Sequence, residues 1–157
     1  MFERYDEHAR RSIFFAREEA SNFGSPWIDT EHLLLGILRE DFRLRAVLPG
    51  RGMDQIRAEI ERLTPSPRRH IPTSMDLPLS TACKRALSCG AEEAERLGSE
   101  IVKTGHLLLG LLRVEDSMAA DLLRPYASEV ERYRSVISSV QVSLKERGAM
   151  AAMPRIT

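Results

Sequence analysis

The sequence contains the same pattern twice, 74 positions apart. Residues 9–24 read ARRSIFFAREEASNFG, and residues 83–98 read CKRALSCGAEEAERLG. The offset still holds further along, where TEHLLLGIL begins at Thr30 and TGHLLLGLL begins at Thr104. A constant offset across two helices and the loop between them indicates a duplicated supersecondary unit. Because each copy has an apolar stripe that needs a partner, we expect the copies to pack on each other with pseudo-two-fold symmetry.

Apolar residues recur with the period of an α-helix in both copies. The stripe of the first helix consists of Ala9, Ile13, Ala16, Ala20 and Phe23, and its counterpart of Cys83, Leu87, Gly90, Ala94 and Leu97. The second helix of each copy is short and almost wholly apolar, so we expect it to be buried. After it the copies diverge, although two further helical patterns follow in each. The sequence therefore predicts an all-α fold, a duplicated four-helix repeat with eight helices in one bundle.

Capping residues at equivalent positions mark where the helices begin and end. Asp6 and Ser80 are good N-caps for the first helices, because their side-chain oxygens accept hydrogen bonds from free backbone N–H groups. Gly24 and Gly98 stand where the residue after a helix often adopts a left-handed conformation. The threonine that opens each leucine-rich helix is predicted to cap that helix with its hydroxyl group.

The domain organisation follows from the same pattern. We expect repeat one to span residues 1–63 and repeat two to span residues 79–147, the two together forming one domain. Four prolines between residues 64 and 78 predict a surface linker. Residues 148–157 have no periodicity and are predicted to be a disordered tail.

Composition argues against several functional classes. Lysine plus arginine number 23 and aspartate plus glutamate also 23, whereas nucleic-acid binding needs a basic surface. No apolar run reaches the roughly 18 residues of a membrane span, and the first residues lack the apolar region of a signal peptide. Two cysteines are too few for a disulfide framework. We therefore expect a cytoplasmic protein that binds neither nucleic acid nor membrane. We also expect it to be a monomer.

The repeated motifs are specific enough to indicate a family. They comprise a capped first helix with two basic residues near its start, an E-E-A segment, a glycine and then T-E-H-L-L-L-G-I-L. With the opening MFERY and the A-R-R that follows it, the sequence resembles the N-terminal repeat domain of the Clp unfoldases ClpC and ClpA over roughly residues 1–147. The resemblance implies a pseudo-symmetric eight-helix bundle that precedes ATPase rings.

The function that the resemblance implies is recognition without catalysis. Such a domain receives substrates and adaptor proteins, needs no cofactor and binds proteins or peptides for a Clp-type unfoldase–protease system. The implied partners are a Clp unfoldase, its adaptors or its substrate proteins. Two alternatives stay open: an adaptor or decoy that mimics the unfoldase N-domain, and a small-ligand protein or enzyme on the same scaffold.

The ATPase modules of that family have no counterpart in this sequence. It ends where the first module would begin and contains no G-x-x-x-x-G-K-[ST] motif to hold nucleotide phosphates. Such a sequence is either an excised fragment or a stand-alone protein. Because its last residues, GAMAAMPRIT, are unlike a long unfoldase linker, we expect a stand-alone protein.

The resemblance also implies a binding site for phosphoarginine. In ClpC each repeat uses the glutamate of T-E-H for the guanidinium group, and the threonine-capped N-terminus of the first helix for phosphate. Here repeat one has Glu31 but Asp6 in place of the threonine, and repeat two has Ser80 but Gly105 in place of the glutamate. Neither repeat is complete by itself. A pocket of Glu31 and Asp6 would prefer unmodified arginine or lysine to phosphoarginine.

The remaining candidate residues each have two interpretations. Tyr5 and Leu79 precede the first-helix caps, so they are either hydrophobic staples or exposed parts of a peptide-binding groove. Lys84 either lies on a solvated face or assists anion binding at a helix N-terminus. His32 and His106 recur at the equivalent position without the spacing of metal ligands, so we interpret them as histidines hydrogen-bonded at helix starts. The expected site residues are therefore Glu31, Asp6, Tyr5, Ser80, Leu79 and Lys84.

Overall fold

The computed structural model describes residues 2–135, except for residues 47, 49–51, 65–68 and 73. Within these residues the all-α prediction is confirmed. The α-helices are α1 (Glu7–Asn22), α2 (Thr30–Glu40), α3 (Phe42–Arg45), α4 (Gly52–Leu63), α5 (Thr81–Arg96), α6 (Thr104–Arg113) and α7 (Met118–Leu123). A 3₁₀ turn at Arg124–Tyr126 leads into helical residues 127–135, which we label α8. The end of repeat two and the predicted tail lie outside the described residues.

The helices of the two halves correspond to each other. Helices α1 and α5 each contain 16 residues, and α1 packs on α2 as α5 packs on α6. The turn after α1 contains Gly24 with a φ of 67°, and the turn after α5 contains Gly98 with a φ of 75°. Because a left-handed backbone favours glycine, these turns confirm the predicted ends of the first helices.

Two short backbone contacts join the halves reciprocally. Tyr5 forms a parallel β-bridge with Val102, and Ile28 forms one with Leu79. Under the 74-residue offset, position 5 corresponds to 79 and position 28 to 102. Each contact is therefore the symmetry mate of the other, which is the arrangement expected around a two-fold axis.

Most of the largest fully buried side chains of the core are aliphatic residues of α2 and α6. They include Leu33, Leu34, Leu35, Ile37, Leu38, Leu107, Leu108, Leu109 and Leu111. The leucine-rich helices are thus the buried centre of the fold, as the sequence predicts. Among the described residues, no helix has both the length and the apolar composition needed to cross a membrane.

Truncating a central leucine should test this core directly. We expect Leu34→Ala and Leu108→Ala each to lower the free energy of unfolding by about 3 kcal/mol, because each leaves a cavity in a packed interior. Urea denaturation measures the change. Phe42→Ala is the matched control, since Phe42 is 72% exposed and its truncation should cost less than about 0.5 kcal/mol. If the leucine variants lost as little stability as the control, the two leucines would not be part of a packed core.

The second helices begin at Thr30 and Thr104 as predicted, but their N-caps differ from the prediction. Their N-caps are Asp29 and Lys103, each one residue before the threonine that the pattern suggested. The threonine hydroxyls instead make buried tertiary hydrogen bonds. Thr104 Oγ1 donates to Asp41 at 2.8 Å, and Thr30 Oγ1 accepts from a backbone N–H of α7 at 3.3 Å. The threonines therefore hold the two halves together rather than capping the helices.

Each leucine-rich helix has one glycine at which the first helix of its hairpin approaches closely. A Cβ atom added to Gly36 would lie 2.2 Å from the backbone oxygen of Ser12. A Cβ atom added to Gly110 would lie 2.4 Å from the backbone oxygen of Ala86. Backbone groups cannot yield as flexible side chains do, so the absence of a side chain sets the distance between the helices.

A buried carboxylate fastens the last helix of each half to its hairpin. Glu19 of α1 is 1% exposed and accepts hydrogen bonds from Arg39 of α2 and Arg57 of α4. Its counterpart Glu93 is fully buried and accepts a hydrogen bond from Arg134 of α8 at 2.5 Å. The E-E-A segment of each copy therefore has a structural role that its sequence pattern does not reveal.

Candidate functional site

The starts of four helices meet in two pairs, and each pair combines both halves. The β-bridge between Ile28 and Leu79 places the start of α5 beside the start of α2. The β-bridge between Tyr5 and Val102 places the start of α1 beside the start of α6. We call these places the α2–α5 site (Asp29, Glu31, Ser80 and the first turn of α5) and the α1–α6 site (Asp6, Lys103, Gly105 and His106).

This pairing corrects one prediction from the sequence. Asp6 and Glu31 were expected to share a doubly acidic pocket, but they belong to different sites. The reason is that α1 and α2 are antiparallel, so the start of α1 lies against the end of α2. His8 Nδ1, near the start of α1, is 2.7 Å from Glu40 Oε1, the last residue of α2. The start of α2 is left at the other end, where it meets α5.

Ser80 connects the two helices of the α2–α5 site. Its Oγ accepts the backbone N–H of Cys83 at 3.0 Å, which confirms Ser80 as the N-cap of α5. The same hydroxyl donates to Asp29 Oδ1 at 2.8 Å, and that oxygen also accepts the N–H of Thr30 at 2.8 Å. A single carboxylate thus caps α2 and orients the cap of α5.

Glu31 supplies the second carboxylate of the α2–α5 site. Its side chain is 12% exposed, and its Oε1 lies 3.9 Å from His32 Nε2. His32 Nδ1 accepts the backbone N–H of Asp29 at 2.9 Å, which confirms the interpretation of this histidine as hydrogen-bonded at a helix start. Burial and then the charges of Asp29 and Glu31 raise the pKa of the Cys83 thiol to about 12. Both carboxylates therefore act on the first turn of α5, and the thiol stays protonated at neutral pH.

The α1–α6 site surrounds a cavity of about 200 Å³. Asp6 caps α1 by accepting the N–H of Ala9 at 2.8 Å, which confirms its predicted role. Lys103 and Gly105 stand where the α2–α5 site has Asp29 and Glu31. The cavity is also lined by His8, Asp41, Arg43, Thr104, His106 and Tyr133. The two sites have the same backbone framework but different charges.

His106 lies at the start of α6 as a neutral, buried ring. Its Nδ1 accepts the backbone N–H of Lys103 at 2.9 Å, as His32 does in the other half. Burial, and then the charge of Lys103, lower the pKa of His106 to about 4, while Asp6 acts in the opposite direction. At neutral pH the ring is uncharged, and its proton is on Nε2.

The remaining predicted site residues differ in exposure. Tyr5 is buried and packs edge-on against Phe2, with ring centroids 5.1 Å apart. Burial is the main cause that raises the pKa of Tyr5 to about 12. Leu79 is half-buried and packs against the core. Burial favours the staple interpretation for both positions. Lys84 is exposed in the first turn of α5, beside the α2–α5 site.

Three residues near the sites were not singled out from the sequence. Asp29 and Lys103 occupy equivalent positions, directly before the two threonines, and carry opposite charges. This difference is visible when the two copies are compared at that position. Trp27, two residues before Asp29, is 48% exposed. Among the described residues, no group of three or more histidine, cysteine, aspartate and glutamate side chains is arranged to hold a metal ion.

Comparison with known sequences finds one matching family model. The model of the Clp repeat (R) N-terminal domain matches residues 4–126. The chaperone protein ClpC1 of rice chloroplasts (Oryza sativa subsp. japonica) is 34% identical over 153 residues, which cover 95% of this chain and 16% of that protein. The ClpA homolog of Guillardia theta, an ATP-binding subunit of an ATP-dependent Clp protease, is 34% identical over 140 residues, which cover 87% of this chain and 17% of that protein. The chain thus spans about a sixth of the length of these relatives.

Solved structures share the fold. The N-terminal domain of the chaperone ClpD from Arabidopsis thaliana superposes with a TM-score of 0.70 at 24% identity, over 91% of this chain and 97% of that one. The N-terminal domain of Hsp104 from Candida albicans superposes with a TM-score of 0.66 at 17% identity, over 88% of this chain and 92% of that one. At these identities the likeness concerns the fold alone.

Proposed function

This chain belongs to the family of Clp repeat (R) N-terminal domains, and from that premise we propose that it is a non-catalytic recognition domain of a Clp-type unfoldase–protease system. It binds substrate or adaptor proteins through peptide segments. The relatives that support this context carry the names of Clp protease ATP-binding subunits and ClpC chaperones. The observation that carries the proposal is the geometry of the α2–α5 site.

The ligand proposed for that site is an arginine side chain. Asp29 and Glu31 place two carboxylates at the junction of two helices. A guanidinium group is the cation whose planar N–H donors match carboxylate oxygens. Because the side chain of Glu31 is only 12% exposed, the ion pair would be less screened than one on an open surface. Trp27, two residues before Asp29 and 48% exposed, is available to contact the residues that flank the arginine.

Unmodified arginine should bind better than phosphoarginine. The Ser80 hydroxyl already donates to Asp29, so it is not available as a donor to a phosphate oxygen. The charge of Asp29 beside the first turn of α5 also opposes a second anion at that helix N-terminus. The doubly acidic character predicted for a pocket of Glu31 and Asp6 is thus proposed instead for Glu31 and Asp29.

Titration with matched peptides tests this function. We expect an arginine-containing peptide to bind more tightly than the same peptide with citrulline or phosphoarginine, since only arginine keeps the full positive charge. Glu31→Gln should weaken arginine binding roughly tenfold, because a charge-assisted hydrogen bond becomes a neutral one. Calorimetry gives the affinities, and the emission of Trp27, the single tryptophan, reports binding independently.

Two variants make the test specific. Glu59→Gln is the control, because Glu59 pairs with Arg62 on α4, away from both sites. Asp29→Asn should narrow the preference for arginine over phosphoarginine, since it removes the charge that opposes phosphate. Equal binding of arginine and citrulline peptides, or affinity unchanged by Glu31→Gln, would show that the α2–α5 site is not the ligand site.

A further inference from the structure

The α1–α6 site differs from its symmetry mate at one helix N-terminus. In α2 the first N–H groups lie near Asp29, whose carboxylate accepts the N–H of Thr30. In α6 the N-cap is Lys103, whose ammonium group cannot accept a hydrogen bond, and Gly105 stands where α2 has a glutamate. The start of α6 therefore lacks both carboxylates that accompany the start of α2, although its first N–H groups need acceptors.

A buried hydrogen-bond donor at the same place has no partner. His106 is fully buried, and its Nε2 has no hydrogen-bond partner among the described residues. Because Nδ1 accepts the Lys103 N–H, the unpartnered Nε2 carries the proton. In the other half, His32 Nε2 lies 3.9 Å from the carboxylate of Glu31. The equivalent space in the α1–α6 site is in front of Gly105, which lines the cavity together with His106.

We propose that the α1–α6 site binds a carboxylate group of a peptide or protein partner, which takes the place of the carboxylate that Gly105 lacks. The group accepts a hydrogen bond from His106 Nε2–H and from N–H groups at the start of α6. Lys103 and Arg43, which both line the cavity, supply positive charge. The carboxylate comes either from an acidic side chain or from the C-terminus of a polypeptide, since both present the same acceptor.

The acidic residues of the cavity do not prevent this binding. Asp6 is engaged as the cap of α1, and Asp41 accepts hydrogen bonds from Thr104 Oγ1 and from the backbone N–H of Arg43. Lys103 balances one of these charges. The α2–α5 site already holds two carboxylates at the equivalent helix starts, so the same framework tolerates a ligand carboxylate here. The two sites of the domain would then take ligand groups of opposite charge.

Nuclear magnetic resonance with small carboxylates tests the proposal on the whole protein. The probes are N-acetylglycine, which presents a C-terminal carboxylate, and the α-amide of N-acetylglutamate, which presents the carboxylate of a side chain. We expect saturable shifts of the Gly105 amide and of His106 Nε2–H with at least one of them, and the better ligand identifies the source. N-acetylglycinamide has no charge and should produce none of these shifts.

Substitutions at Gly105 and Lys103 distinguish binding at the α1–α6 site from nonspecific binding of the carboxylates elsewhere on the protein. Gly105→Glu supplies an internal carboxylate and should weaken binding roughly tenfold by competition, while Gly105→Ala should keep it. Position 105 accepts a Cβ because its equivalent in the first half carries the side chain of Glu31. Lys103→Asp should also weaken binding, and Glu31→Gln should not change it. The absence of saturable shifts with both carboxylates, or full binding by both Gly105→Glu and Lys103→Asp, would overturn the proposal.

Discussion

Alanine at Gly36 or at Gly110 should lower the free energy of unfolding by about 3 kcal/mol, the upper end of the usual cost of overpacking. In an ordinary helix the same change stabilises by about 1 kcal/mol, because glycine is a poor helix former. Here the added Cβ would lie 2.2 Å from the Ser12 backbone oxygen or 2.4 Å from that of Ala86. The helices of the hairpin would have to move apart, and the leucine contacts on either side would loosen.

The two glycines lie in different hairpins, so the double variant should lose about 6 kcal/mol by additivity. Chemical denaturation of the single and double variants measures this. Gly105→Ala, on the same helix as Gly110, is the matched control, because its equivalent in the first half already carries a side chain. A Gly110→Ala variant as stable as the control would mean that the two helices of the hairpin can accept the added Cβ atom without loss of packing.

Removing both arginine partners of Glu19 should lower the free energy of unfolding by an amount similar to that expected for a single glycine variant. The double variant Arg39→Met and Arg57→Met leaves a carboxylate that is 1% exposed without its hydrogen bonds. Breaking a buried ion pair in this way typically costs 3–5 kcal/mol, roughly, because the remaining charge stays buried. Arg62→Met on the same helix is the control, since its partner is exposed and the loss should be below about 1 kcal/mol.

A third substitution shows whether the buried charge of Glu19 causes the loss of stability in the double variant. Adding Glu19→Leu to the double variant removes the stranded carboxylate, and we expect much of the lost stability to return. Thermal and urea unfolding of the double and triple variants give the comparison. A triple variant that is less stable than the double would mean that packing of the arginine stems, rather than the uncompensated charge, determines the loss.

The helical framework could be predicted because its signals are local. The caps Asp6 and Ser80 and the left-handed glycines Gly24 and Gly98 each depend on a few neighbouring residues, and the duplication shows them twice. The N-caps of α2 and α6 could not be predicted in this way, because threonine is a common N-cap and the sequence has one at the start of each helix. The N-caps in the structure are the preceding residues, Asp29 and Lys103. Local preference does not indicate that a threonine hydroxyl has a tertiary partner instead.

The composition of the two sites could not be predicted in the same way. A repeat period shows which residues are equivalent, but not which helix ends meet in space. Glu31 and Asp6 share a copy, yet antiparallel packing places them in different sites, and Ser80 reaches Asp29 across 51 positions of sequence. The buried role of Glu19 was hidden for the same reason, because Arg57 lies in another helix.

The reciprocal bridges between Tyr5 and Val102 and between Ile28 and Leu79 have a consequence for how such sites change over time. Each site takes one helix start from each copy, so a single copy on its own holds no complete site. Two separate copies of one sequence could complete the sites only as a symmetric dimer, in which both sites are necessarily identical. Joining the copies in one polypeptide removes that constraint. A substitution then alters one site and leaves its twin intact, so one ancestral specificity can become two.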